Sequence, residues 1–147
     1  MRFEGVFDVR APIDRVFARV TDPNQVLQCL PDLQSKKIRS VDDFDAVVRI
    51  GVSFIRGDFQ VRFKVIDKEL NSHVKILGQG KGLGSTVDME IDVEMAAREG
   101  GRTSMNWSVD AKVGGKIASM GQRLLDSQAE RIINQLFDCL RAELEQG

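Results

Sequence analysis

From Phe44 onward the hydrophobic residues fall on every second position, the period of a strand with one dry face and one wet face. Phe44, Ala46, Val48, Ile50, Val52 and Phe54 make one apolar row against Asp45, Val47, Arg49, Gly51 and Ser53. The row then changes parity. Phe59, Val61, Phe63 and Val65 alternate with Asp58, Gln60, Arg62 and Lys64, which predicts a turn or bulge at Gly57. Val87, Met89, Ile91, Val93 and Met95 alternate with acids, and Met105, Trp107, Val109, Ala111 and Val113 with polar residues. With Phe3 to Val9, Leu33 to Val41 and Val74 to Gly82, about seven strands are expected. Short turn signals at Asp42-Asp43, Asn71-Ser72 and Gly100-Gly101 predict an antiparallel meander.

Two short helices interrupt the strands early. Pro12 suits the first helical position, and Ile13, Val16, Phe17 and Val20 then share one face. Asp22-Pro23 restarts a helix with Val26, Leu27 and Leu30 as its apolar side, until Pro31 stops it. After Gly114-Gly115 the period becomes helical: Ile117, Met120, Leu124, Leu125, Ile132, Ile133, Leu136, Phe137, Leu140 and Leu144 trace one stripe. About 30 residues give a rod roughly 45 Å long, with Gly121 inside it at a cost of about 1 kcal/mol relative to alanine. A striped helix and a dry sheet face must cover each other. The order predicts an α+β helix-grip (START-like, Bet v 1-like) fold in one domain, 1–147: a curved seven-stranded antiparallel sheet wrapped around the C-terminal helix. An apolar cavity is expected where a straight helix and a curved sheet part.

Composition narrows the function. Of 147 residues, 42% are hydrophobic and 29% charged, too apolar for a disordered chain. A net charge of −1 gives no positive field for a polyanion, so nucleic acid is not expected as a partner. The N-terminus lacks the basic-then-apolar layout of a signal peptide, and no stretch approaches the roughly 20 apolar residues that cross a bilayer. A cytoplasmic protein is expected, with any membrane contact peripheral, at the inner face. Two cysteines do not make a disulfide framework, so reduced thiols are expected, with Cys29 a small buried hydrophobe.

Several segments resemble the carbon monoxide dehydrogenase G-subunit (CoxG) family of the START-like (SRPBCC) superfamily: Phe7-Asp8-Val9-Arg10-Ala11-Pro12 with Val16-Phe17; Asp22-Pro23 leading to Cys29-Leu30-Pro31; Arg49-Ile50-Gly51-Val52 before Arg56-Gly57; Gly78-Gln79-Gly80-Lys81-Gly82; and Val113 to Leu125. The resemblance implies a non-catalytic accessory to molybdenum hydroxylases of the carbon monoxide dehydrogenase type. It also implies membrane recruitment of that enzyme and handling of an apolar ligand, a quinone or lipid, with no cofactor of its own. Asp32 stands where the family usually has glycine. The C-terminal tail by which longer members touch the membrane has no counterpart before Gly147, so a membrane anchor in this chain is not expected.

The expected cavity lining is Ile50, Phe54, Phe59, Val61, Phe63, Met89, Ile91, Met105, Trp107, Ile117, Met120 and Leu124, with Gly114 and Gly115 as a portal hinge. No catalytic or metal site is expected. His73 lies beside a turn without partners that the sequence can place, and Asp88, Glu90, Asp92 and Glu94 are too far apart along a strand, about 6.6 Å between same-face neighbours, to chelate a small cation. Gly78, Gly80, Gly82 and Gly84 lack phosphate-loop spacing and predict a bent strand or close approach of another group. Two rival functions share this pattern: a polyketide cyclase or hydratase on the same fold, and a ligand-free interaction or assembly factor.

Overall fold

A computed structural model describes residues 1–52 and 54–146; Ser53, expected on a polar row, lies outside the described residues. The strands are β1 (Arg2–Val9), β2 (Leu33–Ser40), β3 (Asp43–Val52), β4 (Ile55–Glu69), β5 (His73–Gly82), β6 (Ser85–Arg98) and β7 (Arg102–Gly115). Helices α1 (Ile13–Val20) and α2 (Pro23–Leu27) follow β1, and a 3-10 turn (Ile117–Met120) precedes α3 (Gln122–Glu145). All seven strands join one antiparallel sheet in the order β1-β7-β6-β5-β4-β3-β2, so β1 closes the meander against its last strand. The sheet is curved in the helix-grip manner, and an extra residue, Ile66, bulges β4 between Val65 and Asp67.

Three local expectations are corrected. Gly57 is neither turn nor bulge: it stands opposite Ile50 in an unbroken β3–β4 ladder. The change of parity comes from the connection between Val52 and Ile55, which pair across it and are both buried. Gly121 breaks the C-terminal rod, with φ +90° and ψ 154°, leaving a 24-residue α3 about 36 Å long. Pro12 is the N-cap of α1, extended at ψ 151°, one residue outside the helix it opens. At α2, Asp22 caps as its sequence suggests, its carboxylate accepting the Asn24 N–H at 3.0 Å.

The cysteines are also corrected. Cys29, just after α2, and Cys139, in α3, are joined as a disulfide across 110 residues, with Cα atoms 5.5 Å apart. No local pattern marks such a pair; only folding brings α2 against α3.

Three apolar clusters form the core. The largest joins Phe7 and Val9 of β1, Val16 and Phe17 of α1, Val74, Met95 and Met105 of the sheet, and Leu140 and Leu144 of α3. A second gathers Ile55, Phe59, Val61 and Ile117, with Leu83, Met89, Met120 and Leu125 around them. The third holds Leu27 of α2 against Phe44 and Ala46. Polar contacts tie the last turns of α3 to α1 and the β1 end. The Arg19 guanidinium pairs with Glu143 at 2.7 Å, the Arg10 N–H donates to Glu145 at 2.9 Å, and Arg15 donates to the Leu144 carbonyl.

Candidate functional site

The three buried clusters do not take in the whole length of the inner sheet face and the stripe of α3. On α3, Leu125 packs into the second cluster and Leu136 against the first. Between them Ala129, Ile132 and Ile133 continue the stripe, half-exposed and in none of the three clusters. Opposite, Ile91 of β6 pairs with Val109 of β7, and both are half-exposed inner-face residues outside those clusters. These residues line an apolar strip, the trough, that none of the three buried clusters covers; from Leu125 to Leu136 it is roughly 16 Å long at 1.5 Å per residue.

An aromatic stack closes one end. Trp107 lies over Gly5, where a Cβ would fall 2.9 Å from its ring. Its ring centroid is 5.3 Å from that of Phe137, which stacks on Phe7 at 4.7 Å, and the Arg141 guanidinium covers the Phe7 ring. Met89, Met120 and Leu125 border the other end, where the two soft thioethers adapt to an irregular surface. Gly78 and Gly80 make room on the floor. A Cβ on Gly78 would fall 2.9 Å from the Met89 methyl, and one on Gly80 would fall 2.4 Å from the Phe59 ring. Close approach by neighbouring side chains is thus what these strand glycines permit.

The expected lining divides. Ile50, Phe63, Met89, Ile91, Trp107, Met120 and Leu124 are half-exposed. Phe59, Val61, Met105 and Ile117 are instead core, at most 7% exposed, because neighbouring side chains already fill the space around them. Phe54 is corrected outright: it sits in the β3–β4 turn, 84% exposed. Val109, Ile132 and Ile133, which the strip includes, are not in the expected lining, although Val109 shares the Trp107 row and the two isoleucines share the α3 stripe. Gly114 and Gly115 are the last two residues of β7, paired with Thr86 and Ser85, so they do not form a free pivot. Two other hollows lie outside the trough. One of about 380 Å³ is bordered by Met1, Leu77, Asp88 and Lys112, and one of about 520 Å³ by Lys81, Gly84, Thr86 and Gly114.

Charge is concentrated on the outer face. Asp43 accepts two hydrogen bonds from Arg62, at 3.1 and 2.8 Å, which hold its carboxyl below the ordinary range and raise the guanidinium. Arg39 is raised by its bonds to Asp45, and Lys75 by its 2.9 Å bridge to Glu90. The Arg10 N–H lowers Glu145 at the far end of α3. His73 does have partners: Asp67 and Asp92 each lie 3.4 Å from one of its ring nitrogens. These too belong to the outer face. Among the described residues, one group of potential metal ligands, Cys29, Cys139 and Glu143, comes together, and its sulfurs are bonded to each other.

Residues 5–145 match the carbon monoxide dehydrogenase G-subunit (CoxG) family. The chain belongs to that family. No curated protein shows significant sequence similarity to it. Among solved structures, a conserved protein from Geobacillus kaustophilus superposes with a TM-score of 0.91 at 24% identity, covering 99% of this chain and 96% of that one. A START superfamily protein from Mycobacterium smegmatis gives 0.76 at 16% identity over 99% and 97%. The aromatase/cyclase Zhui from Streptomyces sp. R1128 gives 0.73 at 14% over 99% and 94%. At these identities the neighbours establish the START-like fold alone. Asp32 has φ +58°, the left-handed backbone that glycine adopts most easily.

Proposed function

We propose that this CoxG-family protein is a non-catalytic carrier that takes up an apolar molecule, a quinone or lipid, between α3 and the sheet, and serves a molybdenum hydroxylase of the carbon monoxide dehydrogenase type. The apolar strip that the buried clusters leave uncovered between α3 and the sheet supports the reading. A ligand covering Ile91, Val109, Trp107 and Ile132 would take half-exposed apolar surface out of water, worth about 25 cal/mol per Å². The named lining side chains are apolar throughout, which suits retention better than proton transfer; a cyclase-type reaction would need a positioned acid or base there.

Trp107 is the chain's single tryptophan and stands at the end of the trough, so a bound quinone should quench its fluorescence. Native mass spectrometry of protein purified gently from its host should show a quinone or lipid mass shift. Protein that stays empty after quinone is added, with Trp107 emission unchanged, would overturn the carrier reading.

A loading route is suggested by the end of the molecule where the turns meet. Leu83 packs over Gly57 and Lys116 over Gly84, which gathers the β3–β4 turn, the β5–β6 turn and the 3-10 turn beside the Met120 end of the trough. Phe54 projects there. Arg56, Lys81, Lys116 and Arg123 are exposed nearby and make no ion pair among the described residues. An aromatic tip within unpaired cations suits a peripheral contact with an anionic lipid surface, each cation near such a surface contributing about 1 kcal/mol. Among the described residues no helix is long and apolar enough to cross a membrane. Phe54→Asp should leave stability within about 0.5 kcal/mol, since the ring is 84% exposed. It should also weaken co-sedimentation with phosphatidylglycerol vesicles several-fold. Unchanged co-sedimentation would remove this turn from the contact.

A further inference from the structure

The chain has only two cysteines, and folding brings both to one place, the junction of α2 with α3. We infer that the Cys29–Cys139 bond is a redox-operated clasp that sets how tightly α3 closes over the trough; the link to ligand release rests on the carrier reading above.

The two helices the bond joins have different supports. α2 packs through Leu27 onto Phe44 and Ala46, in the cluster that also includes Phe63 and Val65 at its border. α3 packs through Leu140 and Leu144 onto β1 and α1. Besides the disulfide, Gln28 Nε2 donates to Glu143 at 2.9 Å, Arg19 donates to both Gln25 of α2 and Glu143 of α3, and Cys29 belongs to the cluster of Leu140 and Leu144. Without the bond, the wall formed by α2 and the wall formed by α3 would meet through side-chain hydrogen bonds and the small Cys29 side chain alone. The other end of α3 begins at Gly121, with φ +90° and open space around the Cβ position. A helix with a backbone break at one end and a covalent clasp near the other can shift by rotation about the break when the clasp opens.

The sulfur chemistry suits attack from outside. Cys29 is 5% exposed, whereas Cys139 is half-buried and more accessible. The thiolate of a dithiol reductant would bond to the Cys139 sulfur and expel the Cys29 thiolate, and its second thiol would then release Cys139. The reductant loses two electrons and becomes a disulfide; both cysteines end as thiols, taking up two protons.

Hydrogen exchange followed by mass spectrometry, on the full chain with and without dithiothreitol, tests the clasp, with thiol alkylation confirming each state. Reduction should speed amide exchange over residues 132–145 at least about tenfold, leave β5 to β7 unchanged, and raise the dissociation rate of a short-chain ubiquinone at least fivefold. Cys29→Ser with Cys139→Ser should exchange at the reduced rate whether or not dithiothreitol is present. Equal exchange over α3 in the two states would overturn the clasp, as would a double-serine variant that still responds to reductant. Faster exchange with an unchanged ubiquinone off-rate would overturn its control of the ligand. Faster exchange in a protein that binds no ubiquinone in either state would leave the clasp standing and overturn the carrier reading instead.

Discussion

Ile91→Trp is expected to lower affinity for a short-chain ubiquinone at least tenfold, equivalent to about 1.4 kcal/mol, while the protein keeps its fold. Ile91 is one of the inner-face residues that the buried clusters leave uncovered, and its partner across the ladder, Val109, is another. On the proposed reading, an indole there extends into the ligand's space rather than into packed neighbours. The overpacking cost of about 1–3 kcal/mol that larger side chains incur in a filled core should therefore be largely avoided. The apolar surface that a ligand would cover is then covered by the protein itself. Val6→Trp serves as the control, since Val6 points outward from β1 and is 61% exposed; it should leave affinity unchanged. Isothermal calorimetry gives the affinities and thermal unfolding the stability. If Ile91→Trp binds as the parent does, the ligand sits elsewhere.

The strands and their order were legible because period two persists through each of them and each turn is short. Phe54 shows where that reasoning failed. Read as an unbroken row from Phe44, it pointed inward; but Ile55, Gly57, Phe59 and Val61 share one parity, so the switch had to lie between Val52 and Ile55. Gly121 was hidden for a different reason. Apolar residues continue on both sides of it, and a glycine costs a helix only about 1 kcal/mol, so neither pattern nor energy demands a break. What required the whole fold was the division between core and trough. Val61 and Ile91 are both apolar and both face inward, yet Val61 packs with Ile55, Phe59 and Ile117 while Ile91 belongs to no buried cluster. Which neighbours come together is set by the whole fold. The cysteine pair was beyond reach in the same way, since 110 residues separate its halves.

The portal reading of Gly114-Gly115 is separated from the ladder reading by substitution. Gly115→Ala should destabilise the protein by about 2–4 kcal/mol, the sum of left-handed strain and a steric clash, and lower Tm by roughly 10 °C. Gly115 has φ +85°, and an added Cβ would fall 2.2 Å from the Gly84 carbonyl oxygen and 2.8 Å from the Ser85 Cα, backbone atoms that cannot turn aside as a side chain would. Moving them would also disturb the Ser85 hydroxyl, which accepts the Ile117 N–H at 2.8 Å and holds the 3-10 turn to the sheet. The damage should therefore reach the Ile117 cluster. Gly114→Ala meets only the Thr86 hydroxyl, at 3.2 Å, and should cost little. Gly121→Ala meets nothing within 4 Å and carries backbone strain alone, about 1–2 kcal/mol, relieved if the helix becomes continuous. Circular dichroism distinguishes the two sites: Gly121→Ala should gain helix, and Gly115→Ala should not. A Gly115→Ala protein with the parent's Tm would mean that the strand end yields freely, as a pivot would.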